Sequence, residues 1–373
     1  MNEKQPVRTP ETHDVVHEDQ DQLEVLARRY EVLRETVESR VLDTGFDDLL
    51  ALYPDAPELP TITDEDTETL DPDDLITKKS AVAQERLALL DGFARTHWDY
   101  RKGVERQQQE LDAQFDDESS PLWDSVFKAT DRFGMVESSH PQYTHYDMLI
   151  ILGGAGLSPL QRTQYALEQG VEFDSVASLG SDRVLPAAER TKTAGYAPDA
   201  TTEYDLMNGS IKTAFGLDEK KSLTLTRVGY DHKDESIPRV SYYRTTEGYA
   251  DEGATSIFVL NAPTRPDRSR ANTDDTYQLL REAAGNRLHP DARVLIVTNA
   301  YVSAFQEIDA KRNIDLVTGA ESETIGFDAA YGGVKRLPSQ LLQETKSYIS
   351  SLVKLQKSLD ELEAYVNTFE LAP

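Results

Sequence analysis

The chain has 373 residues, 38% of them hydrophobic, and a formal net charge of −28. The length suits two domains or one with large additions, and the modest apolar share points to much solvated helix and loop. The charge excludes duplex nucleic acid as a main partner, the absence of cysteine excludes disulfides and thiolate chemistry, and no stretch approaches the ~18–20 apolar residues of a membrane span.

Residues 1–75 carry 22 acidic side chains against 6 basic ones. Such a front end reads as a solubilising tail, disordered over 1–20, with docking to a basic partner as the alternative. The first residues contain no apolar run of the secretory type, so the expected compartment is cytoplasmic. A helical region is expected over 21–140. It opens with Leu23, Leu26, Tyr30, Leu33 and Val37, whose alternating spacings of three and four form an amphipathic seam. Residues 54–75 mix proline with acid and read as a linker, which contains the acidic run "DPDD" at 71–74. A long helix is expected over roughly 76–114, with Val82, Leu89, Phe93, Tyr100, Val104 and Leu111 on one face, and a short one over 119–134 ended by Gly134.

Over 141–336 the pattern changes to apolar runs alternating with helical segments. The expected order is strand Met148–Leu152, helix 159–169, strand Ser175–Leu179, helix 201–215, strand Ser256–Leu260, helix 273–285 and strand Val294–Thr298. A helix over 301–312 and a short strand at Ile314–Val317 follow. This alternation predicts an α/β fold: a Rossmann-like, mostly parallel sheet with helices on both faces. The segments 222–230 and 239–246 alternate with the two-residue strand period, so an antiparallel β-hairpin is expected as an insertion over 220–250. After Pro338 the heptad Tyr348, Leu352, Leu355, Leu359, Leu362, Val366 and Phe369 predicts a long C-terminal helix over 337–373. Its expected partner is the N-terminal helix pair, giving a helical bundle beside the sheet; a homodimeric coiled coil through 341–369 is the rival.

Candidate chemistry lies where strands end. After the first strand come Gly153, Gly154 and Gly156, then a helix that offers unpaired N–H groups of the kind that hold anions. The loop lacks the Lys-Ser/Thr of a phosphate loop and does not spell the dinucleotide fingerprint, and a plain tight turn is the alternative. After the third main strand, Asn272 and Thr273 are placed as helix caps with Asp275 in the first turn. Arg265, Arg268 and Arg270 precede them, suited to phosphate or carboxylate or simply solvated. Thr298, Asn299 and Tyr301 stand at the exit of the fourth. The seven histidines form no cluster with metal-ligand spacing, and no metal is expected.

In the order of these motifs, residues 145–320 resemble the YdcF, SanA and ElyC family, a bacterial domain of unknown function. Gly153, Gly154 and Gly156 match its glycine turn, Arg162 its following arginine, and Glu203 in "TTEYDLMNGSIKTAFG" its acidic helix start. Asn272 and Thr273 match its Asn-Thr segment, with Asp275 in place of a glutamate, and Thr298 and Tyr301 match its last motif. The family's histidine falls on Val302 and its second arginine on Phe305. The resemblance implies a Rossmann-like fold and S-adenosylmethionine binding in at least one member.

The expected function is therefore binding of a small anionic or nucleotide-like molecule, S-adenosylmethionine or a phosphorylated metabolite, at the strand C-terminal ends. Gly153, Gly154 and Gly156 allow close approach, Arg162 and Arg268 balance charge, and Asn272, Thr273, Thr298, Asn299 and Tyr301 contact the ligand. Glu203 or Asp275 is the candidate base of a transferase or hydrolase. The alternatives are a non-catalytic scaffold that uses acidic coiled-coil helices and a nucleotide-sugar-type transferase.

Overall fold

The computed structural model describes residues 12–102, 112, 114–217, 222–226, 239–244, 255–263 and 271–370. The first third is helical: α1 (Thr12–Val41), α2 (Gly45–Leu50), α3 (Asp64–Thr69), α4 (Pro72–His97) and α5 (Pro121–Asp131). Leu33, Val37 and Val41 bury the seam of α1. Helix α1 starts at Thr12, inside the stretch expected to be disordered; residues 1–11 lie outside the described ones. The expected linker contains α3, closed by a capping box in which Thr63 and Asp66 satisfy each other's backbone N–H. Helix α4 starts earlier than the apolar pattern implied, because Asp71 caps it and Pro72 takes its first turn. It ends at His97, so Tyr100 lies beyond it, and Val104 and Leu111 fall outside the described residues. Arg86 on α4 is buried and ties this region together, donating to Asp47 at 2.7 and 3.2 Å and to the carbonyls of Val41 and Pro60.

The remainder runs β1 (His145–Ile151), α6 (Ser158–Glu168), β2 (Glu172–Ser181), α7 (Ala187–Thr193) and α8 (Glu203–Ala214). Then come β3 (Ser222–Thr226), β4 (Arg239–Arg244), β5 (Ser256–Ala262), α9 (Thr273–Ala284), β6 (Arg293–Asn299) and α10 (Ala300–Ala310). Last are α11 (Leu316–Thr318), β7 (Glu321–Phe327), α12 (Ala329–Gly332) and α13 (Pro338–Glu370). The sheet order is β3-β4-β5-β2-β1-β6-β7. The five strands from β5 to β7 are parallel, and β3 and β4 form an antiparallel hairpin along β5. The loop between the hairpin strands lies outside the described residues.

Side chains alternate across the strands. Leu149, Ile151, Val176 and Val259 face Tyr165 of α6 and Met207 of α8, whereas Met148, Ile150, Ala177 and Leu260 face Leu279 and Leu280 of α9. With apolar side chains on both faces and helices over each, the sheet is Rossmann-like. The expected strand at Ile314–Val317 is corrected. Those residues belong to a π-helical turn, Lys311–Asp315, and to α11, and the strand is β7 further on. Ile314 packs into the core under α9 while Val317 is exposed, as a helix disposes them; a short apolar run cannot separate the two forms.

The bundle and the sheet share α10. Ala304 and Ile308 of α10 join a core built from α1, α2, α4, α5 and α13. Tyr348, Leu352, Leu355 and Leu359 of the C-terminal heptad are fully buried there, covered by helices of the same chain.

Candidate functional site

Strand order reverses at β1: β2 and β5 lie on one side of it, β6 and β7 on the other. In doubly wound sheets a ligand crevice opens outside the carboxyl ends of the strands at such a reversal. Gly153, Gly154 and Gly156 follow β1 there, and Asn299 ends β6. Arg162 of α6 spans the gap and is buried. It donates to Asn299 Oδ1 at 3.0 and 2.6 Å, to the carbonyl of Leu152 at 2.7 Å, and to the carbonyl of Gly153. This side chain thus pins the β1 exit to the β6 exit.

Each glycine has a packing or backbone reason to be glycine. A Cβ at Gly153 would lie 2.7 Å from the Leu179 carbonyl oxygen and 2.9 Å from Glu203 Oε1. At Gly154 it would press on Arg162 and Ser158 at 3.2 Å, and Gly156 has φ +60°. The Gly156 N–H donates to Glu189 Oε1 at 2.8 Å, so a carboxylate of the chain itself takes the loop's amide. Arg183 forks onto Glu189 at 3.0 Å through each oxygen, and Tyr196 donates to the Gly156 carbonyl at 2.7 Å. Burial by itself pushes the Glu189 carboxyl up, but Arg183 and the Gly156 N–H outweigh it and hold the group below its ordinary range.

Around β2 and β5 the exits are also polar. Ser181 donates to Glu203 Oε2 at 2.5 Å, and Asn261 donates through Nδ2 to Asp182 Oδ1 at 2.8 Å. Asn261 is fully buried, and its Oδ1 has no hydrogen-bond partner among the described residues. A desolvated carbonyl oxygen of this kind costs about 1–3 kcal/mol.

The remaining expected residues have local partners. Asn272 and Asp275 form a capping box at the start of α9, with both bonds at 3.0 Å, and Thr273 accepts from Thr276. Thr298 donates to Gln306. Tyr301 turns toward the bundle, where the Arg336 guanidinium lies 3.6 Å from its ring centre. Beside that pair is a cavity of about 30 Å³ lined by Phe127, Met135, Phe327 and Asp328, room for about one water. Arg265, Arg268 and Arg270 lie outside the described residues. The structure therefore brings together Gly153, Gly154, Arg162, Glu203 and Asn299, and leaves the α9 cap, Thr298 and Tyr301 to contacts of their own.

Sequence reasoning missed Asp182, Arg183, Glu189 and Asn261. The charged pair "DR" straight after β2 and an asparagine near the end of an apolar strand were the available signals. Among the described residues no group of His, Asp and Glu could hold a metal ion, and no helix is long and apolar enough to cross a membrane.

Comparison with known proteins gives the family. The uncharacterized protein Rv3785 of Mycobacterium tuberculosis (strain H37Rv) is 30% identical over 301 residues, 74% of this chain and 81% of that protein. The uncharacterized protein Mb3814 of Mycobacterium bovis matches to the same extent. The chain belongs to the Rv3785 family. Residues 76–130, which cover most of α4 and nearly all of α5, match the Rv3785 N-terminal domain. No solved structure matches the chain.

Membership of the Rv3785 family corrects the resemblance to YdcF, SanA and ElyC. The shared motifs are short and sit where any alternation of strand and helix puts them. "TTEYD" and "NTDD" close capping boxes on α8 and α9, and packing or backbone conformation dictates the glycines. Val302 is buried and Phe305 packs against the bundle core, and neither side chain can hold an anion or move a proton. The expectation of S-adenosylmethionine rested on that resemblance.

Proposed function

We propose that the chain binds a small anionic, nucleotide-like molecule, such as a nucleotide or phosphorylated metabolite, at the carboxyl ends of β1, β2, β5 and β6. The observation that carries this reading is the reversal of strand order at β1, where the glycine loop, Arg162 and Asn299 meet. The Arg162 guanidinium, held by Asn299 and two backbone carbonyls, brings positive charge to these exits in a chain of net charge −28, while Arg183 beside it is already forked onto Glu189.

A second reading, an α/β scaffold with no ligand, is favoured by two features: Arg162 already spends donors on Asn299 and two backbone carbonyls, and the Glu189 carboxylate takes both the Gly156 N–H and Arg183. Calorimetric titration of the full chain with nucleotides, sugar nucleotides, sugar phosphates and S-adenosylmethionine separates the two. Micromolar binding to the wild type that disappears in Gly154→Val, where added methyls crowd Arg162 and Ser158, supports the site. Silence across the panel from a folded protein overturns it in favour of the scaffold.

A further inference from the structure

Strand β5 is apolar and buried through Ile257, Phe258, Val259 and Leu260, and then presents Asn261, opposite Gly180 in the register with β2. A leucine would fill similar space without a polar atom to satisfy. The amide has a fixed orientation, because Nδ2 donates to the Asp182 carboxylate just past the end of β2. That leaves Oδ1, fully buried, facing no donor among the described residues. Native structures rarely leave such an atom orphaned, so each case asks for an explanation. Asp182 is only half-buried and connects the amide to the solvent side of the strand exits. The other groups on β2's exit, Ser181 and Glu203, add a hydroxyl and a carboxylate. The orphaned Asn261 Oδ1 and the neighbouring Asp182 carboxylate are both acceptors, so the complementary ligand group carries two adjacent donors.

Resting on the reading of a phosphorylated ligand at these exits, we propose that Asn261 and Asp182 form a subsite for a vicinal diol, as carried by the ribose of a nucleotide or by a sugar phosphate. One hydroxyl donates to Asn261 Oδ1 and its neighbour to the Asp182 carboxylate, which gives the orphaned oxygen its donor. The phosphate end of the same molecule then points toward the β1 and β6 exits.

The test is calorimetry on the full chain with matched probes: adenosine 5′-monophosphate against its 2′,3′-dideoxy analogue, and ribose 5-phosphate and glucose 6-phosphate against inorganic phosphate. The variants are Asn261→Leu and Asp182→Asn. The expected result is that loss of the diol weakens wild-type binding about tenfold or more, as loss of one or two hydrogen bonds implies. Each variant shrinks that difference to about twofold while its binding of the dideoxy probe stays at the wild-type level. Which diol probe binds tells a nucleotide from a sugar phosphate. If Asn261→Leu does not fold, Asp182→Asn at its half-exposed position still decides. Equal binding with and without the diol overturns the subsite and leaves the ligand site standing; no binding by any phosphorylated probe overturns both.

Discussion

Gly153 separates two explanations of a glycine-rich turn: room for a ligand, or room for the protein itself. Its missing Cβ would meet the Leu179 carbonyl oxygen, fixed in the β2–β5 pairing, and the Glu203 carboxylate. Gly156 is different, since nothing lies within 4 Å of its missing Cβ and only its φ of +60° disfavours a side chain. Packing therefore predicts that Gly153→Ala costs more stability than Gly156→Ala. The expected losses are about 2–3 kcal/mol for an overpacked backbone contact and about 1 kcal/mol for left-handed strain. Urea titrations of both variants check the order. Equal losses, or a Gly153→Ala protein as stable as wild type, would show that the loop relaxes freely and that packing does not explain the glycine.

At the scale of elements, caps and periodicity carry most of what could be read in advance. The start of α9 is an example: Asn272 and Asp275 satisfy each other's backbone N–H, as the pattern "NTDD" implies. Asn272→Ala should cost about 1 kcal/mol and Asn272→Ser should recover most of it. Thermal melts of the pair decide whether capping accounts for this residue; a drop that serine fails to recover would point to a role for the amide beyond the cap. Strands β1, β5 and β6 were legible because buried parallel strands are continuous apolar runs. Strand β7 was not: "ESETIGF" is half polar, as the sheet's last strand can be, and the more apolar Ile314–Val317 drew the assignment instead. Helix α7 has seven residues, too few to show a period. The same limit governs the site. Glycines mark a turn locally, whereas Glu189 reaches Gly156 across 33 positions and Asn261 reaches Asp182 across 79, and no spacing in one sequence announces such pairs.

For the molecule as a whole, the end of α10 and the π-helical turn after it join bundle and sheet, and they carry buried carboxyl groups. Asp309 accepts from Ser351 of α13 at 2.9 Å, and Asp315 accepts from the Ser322 N–H of β7 at 3.1 Å. Burial pushes both carboxyls up to about 6, partly offset by Lys354 and Ser351 at Asp309 and by Lys311 and Ser322 at Asp315. The Tyr277 hydroxyl is buried among them with no hydrogen-bond partner among the described residues, and burial and the nearby carboxylates push it well up. A carboxyl whose pKa is raised on folding favours the folded state while protonated, so its contribution is complete below the unfolded value near 4 and is lost as pH rises through 6. Glu189 and Asp205, held below their ordinary range, act in the opposite sense and lose their contribution only in stronger acid. Stability should therefore decline between pH 4 and 6 by the share due to Asp309 and Asp315. In Asp309→Asn the side-chain amide can still accept from Ser351 but carries no charge. This variant should be more stable than wild type by about 1–3 kcal/mol at a pH of about 7.5. That advantage should shrink toward zero near pH 4. Urea midpoints of the two proteins across this range test it. A difference that stays constant from pH 4 to 8 would mean that the Asp309 carboxyl ionises as readily inside the fold as in water, and that its burial between α10 and α13 carries no electrostatic cost.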